Sequence, residues 1–263
     1  MSASDILPAA RDRDDVTSTT PAQRLVVAWQ HPDTRAIRPV GILQLDRGVY
    51  SYHYIRGMKK VPDFRPFIGF PDPYRRYESP YLFPIFAQRV MHPSRPDYAK
   101  YMNSLDLSRE ASPWEQLSRS EGRRAGDTIM LFPEPTINAD GSTRCTFLVH
   151  GIRHVTNSPS LIEERLGRVH QGDHLRLRDE PENPVNPAAT LVTNSMGERL
   201  GWVPDLLLDF VQRVRSQTEP DVQVVHINGP DAPIHMRLLV RLSGRVPEGY
   251  RAFSGPDWEP LDT

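Results

Sequence analysis

Nine histidines and one cysteine are the side chains of this sequence best suited to chemistry, and their spacing limits what that chemistry could be. His150 and His154 stand four apart, as do His170 and His174. On a strand, positions four apart share a face, so His150 and His154 would point together past Ile152. Two imidazoles without a third Cys or carboxylate are an incomplete ligand set, so ordinary hydrogen-bonded histidines are expected and no metal. Cys145 has no partner for an internal disulfide and excludes every cysteine-based zinc cluster. The acidic run Asp179-Glu180-Pro181-Glu182 reads as a solvated loop, and the pairs Lys59-Lys60, Arg75-Arg76 and Arg123-Arg124 as solvated faces rather than phosphate contacts. No phosphate-cradling glycine loop, zinc-protease helix, nucleophile elbow or kinase-like catalytic Asp followed by Asn occurs. Neither a catalytic residue nor a cofactor is therefore expected, and the chain reads as a binding protein rather than an enzyme.

The elements that would position these residues follow from composition and period. The chain has 263 residues, 38% hydrophobic, with 26 prolines, which favours short strands and many turns over long helices. Two modules are expected, at 24–125 and 126–263, after a polar tail at 1–23. Tyr50, Tyr52 and Tyr54 recur at the strand period beyond an Asp46-Arg47-Gly48 turn, so Val40–Tyr54 reads as a hairpin with three tyrosines on one face. That face is either an aromatic core ladder or a platform for stacking bases. A Pro- and aromatic-rich loop over 57–79 should pack on the surface, followed by helices at Tyr81–Met91, Asp97–Leu105 and Trp114–Ser120. Ser112 and Glu115 have the spacing of a capping box for the last of these. Beyond Thr128 short strands dominate, RCTFLVHGIRHV (144–155) among them, with helices at Leu161–Leu166 and Leu206–Val214. The fold class is thus α+β, a hairpin and short-helix module followed by a small, partly closed β-barrel.

Charge narrows the partners. The whole chain carries −1, but residues 25–145 hold seventeen Lys and Arg against thirteen acids, and residues 146–263 twelve against sixteen. Neither half is basic enough for indiscriminate DNA binding, which rests on phosphate neutralisation. No apolar run approaches the roughly 20 residues of a membrane span, and the first 24 residues lack signal-peptide features, so a cytoplasmic location is expected.

GIRHV (151–155), LRDEPENPVNPAATLV (177–192), MGERLGWVP (196–204) and the closing strands resemble the HIRAN domain over about residues 145–245. The resemblance implies an OB-like β-barrel, found fused to DNA-remodelling enzymes and in small bacterial proteins, that binds the free 3′-hydroxyl end of single-stranded DNA. It implies Arg153 as the phosphate contact, His154 at the first aromatic position after it, and Asn183 and Asn186 in the Asn-Pro loop. Trp202 lies on the flanking strand. Val155 and Val185 stand where the family has aromatics, and Asn186 where it has a carboxylate; an uncharged acceptor there weakens a contact to the terminal hydroxyl by about 1 kcal/mol. VGILQLDRGVYSYHY (40–54) and YLFPIFAQRVM (81–91) resemble the N-terminal subdomain of HipA-type kinases, which carries no kinase chemistry and implies docking of a protein partner. The expectation is a non-catalytic accessory protein that engages single-stranded DNA ends; the alternative is a protein-interaction or antitoxin-like regulator without DNA binding.

Overall fold

A two-residue turn starts the first sheet. In the computed structural model, which describes residues 23–124 and 126–261, Asp46 pairs with Val49 across Arg47 and Gly48, whose φ values are +46° and +81°. Two positive φ angles define the turn whose twist matches antiparallel strands, and glycine adopts the second without strain. The expected tail lies, up to residue 22, outside the described residues. Strands β1 (Gln23–Gln30), β2 (Ile37–Asp46), β3 (Val49–Tyr54) and β4 (Tyr77–Ser79) follow in meander order. Three helices come next, α1 (Pro84–Ala87), α2 (Tyr98–Ser104) and α3 (Pro113–Ser120), and the chain then returns as β5 (Ile129–Pro133) beside β1. The order β4-β3-β2-β1-β5 therefore takes in a strand that the sequence pattern groups with the second module.

Both faces of this sheet are buried, which explains its unbroken apolar runs. Leu25, Val27, Leu43 and Leu131 pack against Tyr52, Tyr54, Phe70, Phe86 and Trp114. Tyr52 and Tyr54 are fully buried, Tyr52 stacks on Phe70 at 4.3 Å, and the Tyr54 hydroxyl donates to the Phe70 carbonyl (3.0 Å) and accepts from the Phe67 amide (2.6 Å). The tyrosines are thus core residues that hold the 57–79 loop down, not a stacking platform. Helix α3 has its capping box, with Ser112 Oγ accepting from the Glu115 amide (3.2 Å) and the Glu115 carboxylate accepting from the Ser112 amide (2.8 Å). The helix expected over Tyr81–Met91 shrinks to the single turn of α1, where the Arg89 guanidinium is buried and donates to the Gly122 carbonyl.

The second sheet contains β6 (Thr136–Ile137), β7 (Ser142–Leu148), then, after helix α4 (Pro159–Gly167), β8 (His174–Asp179), β9 (Thr190–Thr193) and β10 (Arg199–Trp202). Helix α5 (Leu208–Arg215) leads to β11 (Asp221–Ile227) and β12 (Leu238–Arg245). Its order, β10-β9-β8-β11-β12-β7-β6, is antiparallel throughout and open at both ends, so the expected barrel is not closed. One bridge crosses the gap: His150 and Trp202 exchange backbone hydrogen bonds of 2.9 and 2.8 Å. The two sheets share a core, in which Val26, Ala28, Ile42, Met130 and Phe132 join Phe147, Val192, Phe210, Val222 and Val240. Near its end the chain crosses back to β3, where the Leu261 amide donates to the Tyr54 carbonyl (2.9 Å) and Lys60 pairs with Asp257 (2.7 Å).

Candidate functional site

Glycine decides where the site begins. The strand expected to run through Val155 stops after Leu148, because Gly151 takes φ +68° and Ile152–His154 coils into a 3-10 turn. His150 and His154 consequently do not share a strand face, which corrects the sequence expectation. His150 Nε2 lies 2.9 Å from both carboxylate oxygens of Glu121, and His154 Nε2 accepts from Arg153 Nε at 2.9 Å. Arg153 and His154 are exposed, and Ile152 anchors the turn in the core. The second histidine pair is also divided among acids, His170 3.7 Å from Asp173 and His174 2.6 Å from Asp221.

Trp202 forms the wall beside this turn. A β-carbon on Gly151 would fall 2.5 Å from the indole, so the tight turn and the ring fit only with glycine there. The indole N–H donates to Glu180 Oε2 at 2.7 Å, and the Arg199 guanidinium lies 5.5 Å from the ring centroid while pairing with the other Glu180 oxygen. Asn183 Nδ2 donates to the same carboxylate at 2.7 Å. Burial would push the Glu180 carboxyl up, but the Asn183 and Trp202 donors and the Arg199 and Arg178 charges outweigh it and hold it below its usual 4.5. Glu180 is therefore the hub of the site, not a solvated member of an acid run, while Asp179 turns to the other face and pairs with Arg215.

The Asn-Pro loop is shaped by its own amides. Asn183 Oδ1 accepts from the Val185 and Asn186 amides (3.0 and 3.2 Å), using both lone pairs. Asn186 Oδ1 accepts from the Ala188 amide (3.0 Å) and its Nδ2 donates to Asp205 (3.1 Å), which leaves one lone pair and one N–H to spare. Val185 projects at the loop tip, 83% exposed. The structure thus joins Asn183 to Trp202 through Glu180, and Trp202 to the Arg153–His154 turn through Gly151; Asn186 faces the start of the 205–215 helical segment. Arg153 also borders a shallow cleft of about 380 Å³ with Thr156, Asn157, Pro159, Ile162, Glu163 and Ile234. Sequence reasoning missed Glu180, Arg199 and Gly151. The signal for Glu180 was present in its spacing from Asn183 around Pro181, a turn closed by the Asn183 amide on the Glu180 carbonyl (2.9 Å).

No protein-family model and no curated protein matches the sequence. Among solved structures the chain is similar to the crystal structure of the HIRAN domain of human HLTF, with 21% identity over 41% of this chain and 84% of that one and a TM-score of 0.29. It is similar to a protein from Lactobacillus plantarum, at 17% identity over 40% of this chain and 100% of that one with a TM-score of 0.31. The NMR structure of the HLTF HIRAN domain gives 18%, 40%, 81% and 0.28 for the same quantities. Among the described residues no helix is long and apolar enough to cross a membrane.

Proposed function

We propose that this chain is a non-catalytic, cytoplasmic accessory protein that binds the end of a single DNA strand beside Trp202. The observation that carries the reading is the fixed indole: Trp202 is held at its N–H by Glu180, lies under Arg199, and adjoins a turn that leaves Arg153 and His154 in solvent. A terminal nucleotide asks for flat π surfaces and a guanidinium for its phosphate, and both are within this cluster. In this reading Arg153 and His154 contact the strand, Trp202 supplies the wall, Asn186 offers its spare amide groups, and Asn183 positions the loop. The HIRAN-like motifs of residues 145–245 support the same assignment.

A second reading, a protein-interaction scaffold without DNA binding, is favoured by two observations. Asn183 is turned wholly into its loop, and large apolar side chains stand in solvent, Ile68 at 100% and Tyr81 at 80% in the first module. Fluorescence anisotropy separates the two, using short single-stranded DNA with a 3′-hydroxyl or a 3′-phosphate and Arg153→Ala as control. Tighter binding to the free hydroxyl, lost in the variant, supports end recognition. Binding indifferent to the end and to Arg153, or no binding, transfers the assignment to the protein-interaction reading.

A further inference from the structure

The face of the second sheet turned away from the shared core carries arginines that form no hydrogen bond or ion pair among the described residues, although Leu191 and Thr193 on the same face are buried. Directly opposed residues of antiparallel strands lie on one face, so the register places Arg178, Leu191 and Trp202 in one row and Arg176, Thr193 and Arg199 in the next. Beyond β8 the same face continues through His174, Gln223, Arg241 and Thr146, with Arg144 opposite Ser243 on the far strand. The other face, with Leu175, Leu177, Val192, Val240 and Phe147, is the shared core. Arg144, Arg176 and Arg178 are exposed, Arg241 is half-buried, and none of the four guanidiniums has a hydrogen-bond or ion-pair partner among the described residues. Arginines elsewhere around this sheet are paired: Arg199 with Glu180, Arg215 with Asp179, Arg237 with Glu163, Arg245 with Asp140. The acids on the face are engaged elsewhere, Asp221 by His174 at 2.6 Å and Glu180 by Trp202, Asn183 and Arg199 at its β10 edge. Thus residues 146–263 are acidic in sum, yet this surface is basic, and its arginine row runs directly from the Trp202 wall.

We infer that this face is a phosphate track for the nucleotides that follow the strand end, with Arg178 and Arg176 taking the first phosphates and Arg144 the farther ones. From β10 to β7 the face spans five strand spacings, roughly 24 Å at about 4.8 Å each, enough for several nucleotides beyond the terminal one. The inference rests on the end-binding reading for its polarity and on its own charges for its affinity. The test compares a trimer and a 12-mer of single-stranded DNA, both with free 3′-hydroxyls, against wild type, Arg153→Ala, and the combined variant Arg144→Gln, Arg176→Gln, Arg178→Gln. A charge-matched control carries Arg38→Gln, Arg47→Gln and Arg109→Gln, all exposed in the first module. Three lost phosphate contacts should lower the slope of log K against log salt for the 12-mer by about 2, at about 0.7 per phosphate, and that for the trimer by less, because its two phosphates do not reach Arg144. Between 50 and 200 mM salt, wild type should then lose about twentyfold more affinity for the 12-mer than the variant does. Unchanged 12-mer binding in the variant, or equal weakening in the control, overturns the track while leaving the end site standing. A 12-mer that depends on the three arginines, beside a trimer that never binds, keeps the track and removes the end site. A wild-type protein that binds neither probe removes both.

Discussion

Replacing Glu180 tests the site at its hub. Its carboxylate accepts from Trp202 Nε1 and Asn183 Nδ2, each at 2.7 Å, and pairs with Arg199. A hydrogen bond to a charged group is worth about 1.5–3 kcal/mol when buried, and here the carboxylate side chain is 21% exposed and Arg199 43%. Solvent therefore reduces each of the two bonds to about 1 kcal/mol, and the guanidinium adds no more than about 1 kcal/mol. Glu180→Ala should cost about 3 kcal/mol, which for a chain of this size lowers Tm by about 6–12 °C. Glu180→Gln keeps one acceptor and turns an NH₂ toward the remaining donors, so it should fall between. The folded carboxyl titrates below 4.5, so its contribution is fully present above about pH 4.5 and is lost as pH falls through the lower folded value. The difference in Tm between wild type and Glu180→Ala should thus be constant from pH 7 to pH 5 and shrink below about pH 4. DNA affinity should fall about tenfold or more because the indole and the Asn-Pro loop lose their common anchor. A Glu180→Ala protein melting within about 1 °C of wild type at pH 7 would refute the reasoning.

Three further outcomes follow from single observations. Gly151→Ala puts a methyl against Trp202 at a positive φ and should cost about 2–3 kcal/mol, whereas Gly197→Ala, with φ +81° and open space, should cost about 1 kcal/mol; chemical denaturation compares the two. His53 is held down to about 4 by burial and then by Arg76 and Arg24, and His235 to about 4 by burial and then by Arg123. Between pH 6.5 and 4 the unfolded chain takes up protons that these folded histidines refuse, so stability should fall by about 2–4 kcal/mol from pH 8 to pH 5, and urea titration of His53→Leu should show a visibly shallower decline. Burial pushes the Cys145 thiol up to about 12, so a thiol reagent at pH 8 should label it only after unfolding; labelling of the native protein at the rate of a free thiol would contradict its position in the core.

Local signals carried most of the elements. The Arg47-Gly48 turn, the capping box at Ser112 and the period of Tyr50, Tyr52 and Tyr54 are written in adjacent residues, and the structure uses each as such. Pairing between distant segments was not legible. The sequence pattern groups Ile129–Pro133 with the second module, whereas its place beside β1 depends on Leu131 and Phe132 filling opposite cores. The run through His154 looked like one strand because its apolar alternation continues, and only the backbone freedom of Gly151 breaks it. Glu180 was hidden for a different reason: an acid among acids before proline looks solvated until a tryptophan 22 positions later and an arginine 19 positions later close over it.

The same long-range logic ties the first sheet's helices to the proposed binding edge. Glu121 closes helix α3 in a left-handed conformation with φ +56°, its side chain 2% exposed. Burial alone would keep such a carboxyl protonated, but His150 and Arg123 outweigh it and hold it below its usual range. The imidazole it grips belongs to the residue whose backbone exchanges both hydrogen bonds with Trp202, one step before the glycine that lets the indole sit. A buried pair of this kind is weak as net stabilisation yet costly to break from one side, by about 3–5 kcal/mol, so it serves position better than affinity. Helix α3 thereby fixes where the Arg153 turn meets the Trp202 wall, and the helices of the first sheet would shape the proposed binding edge without having to touch a bound strand.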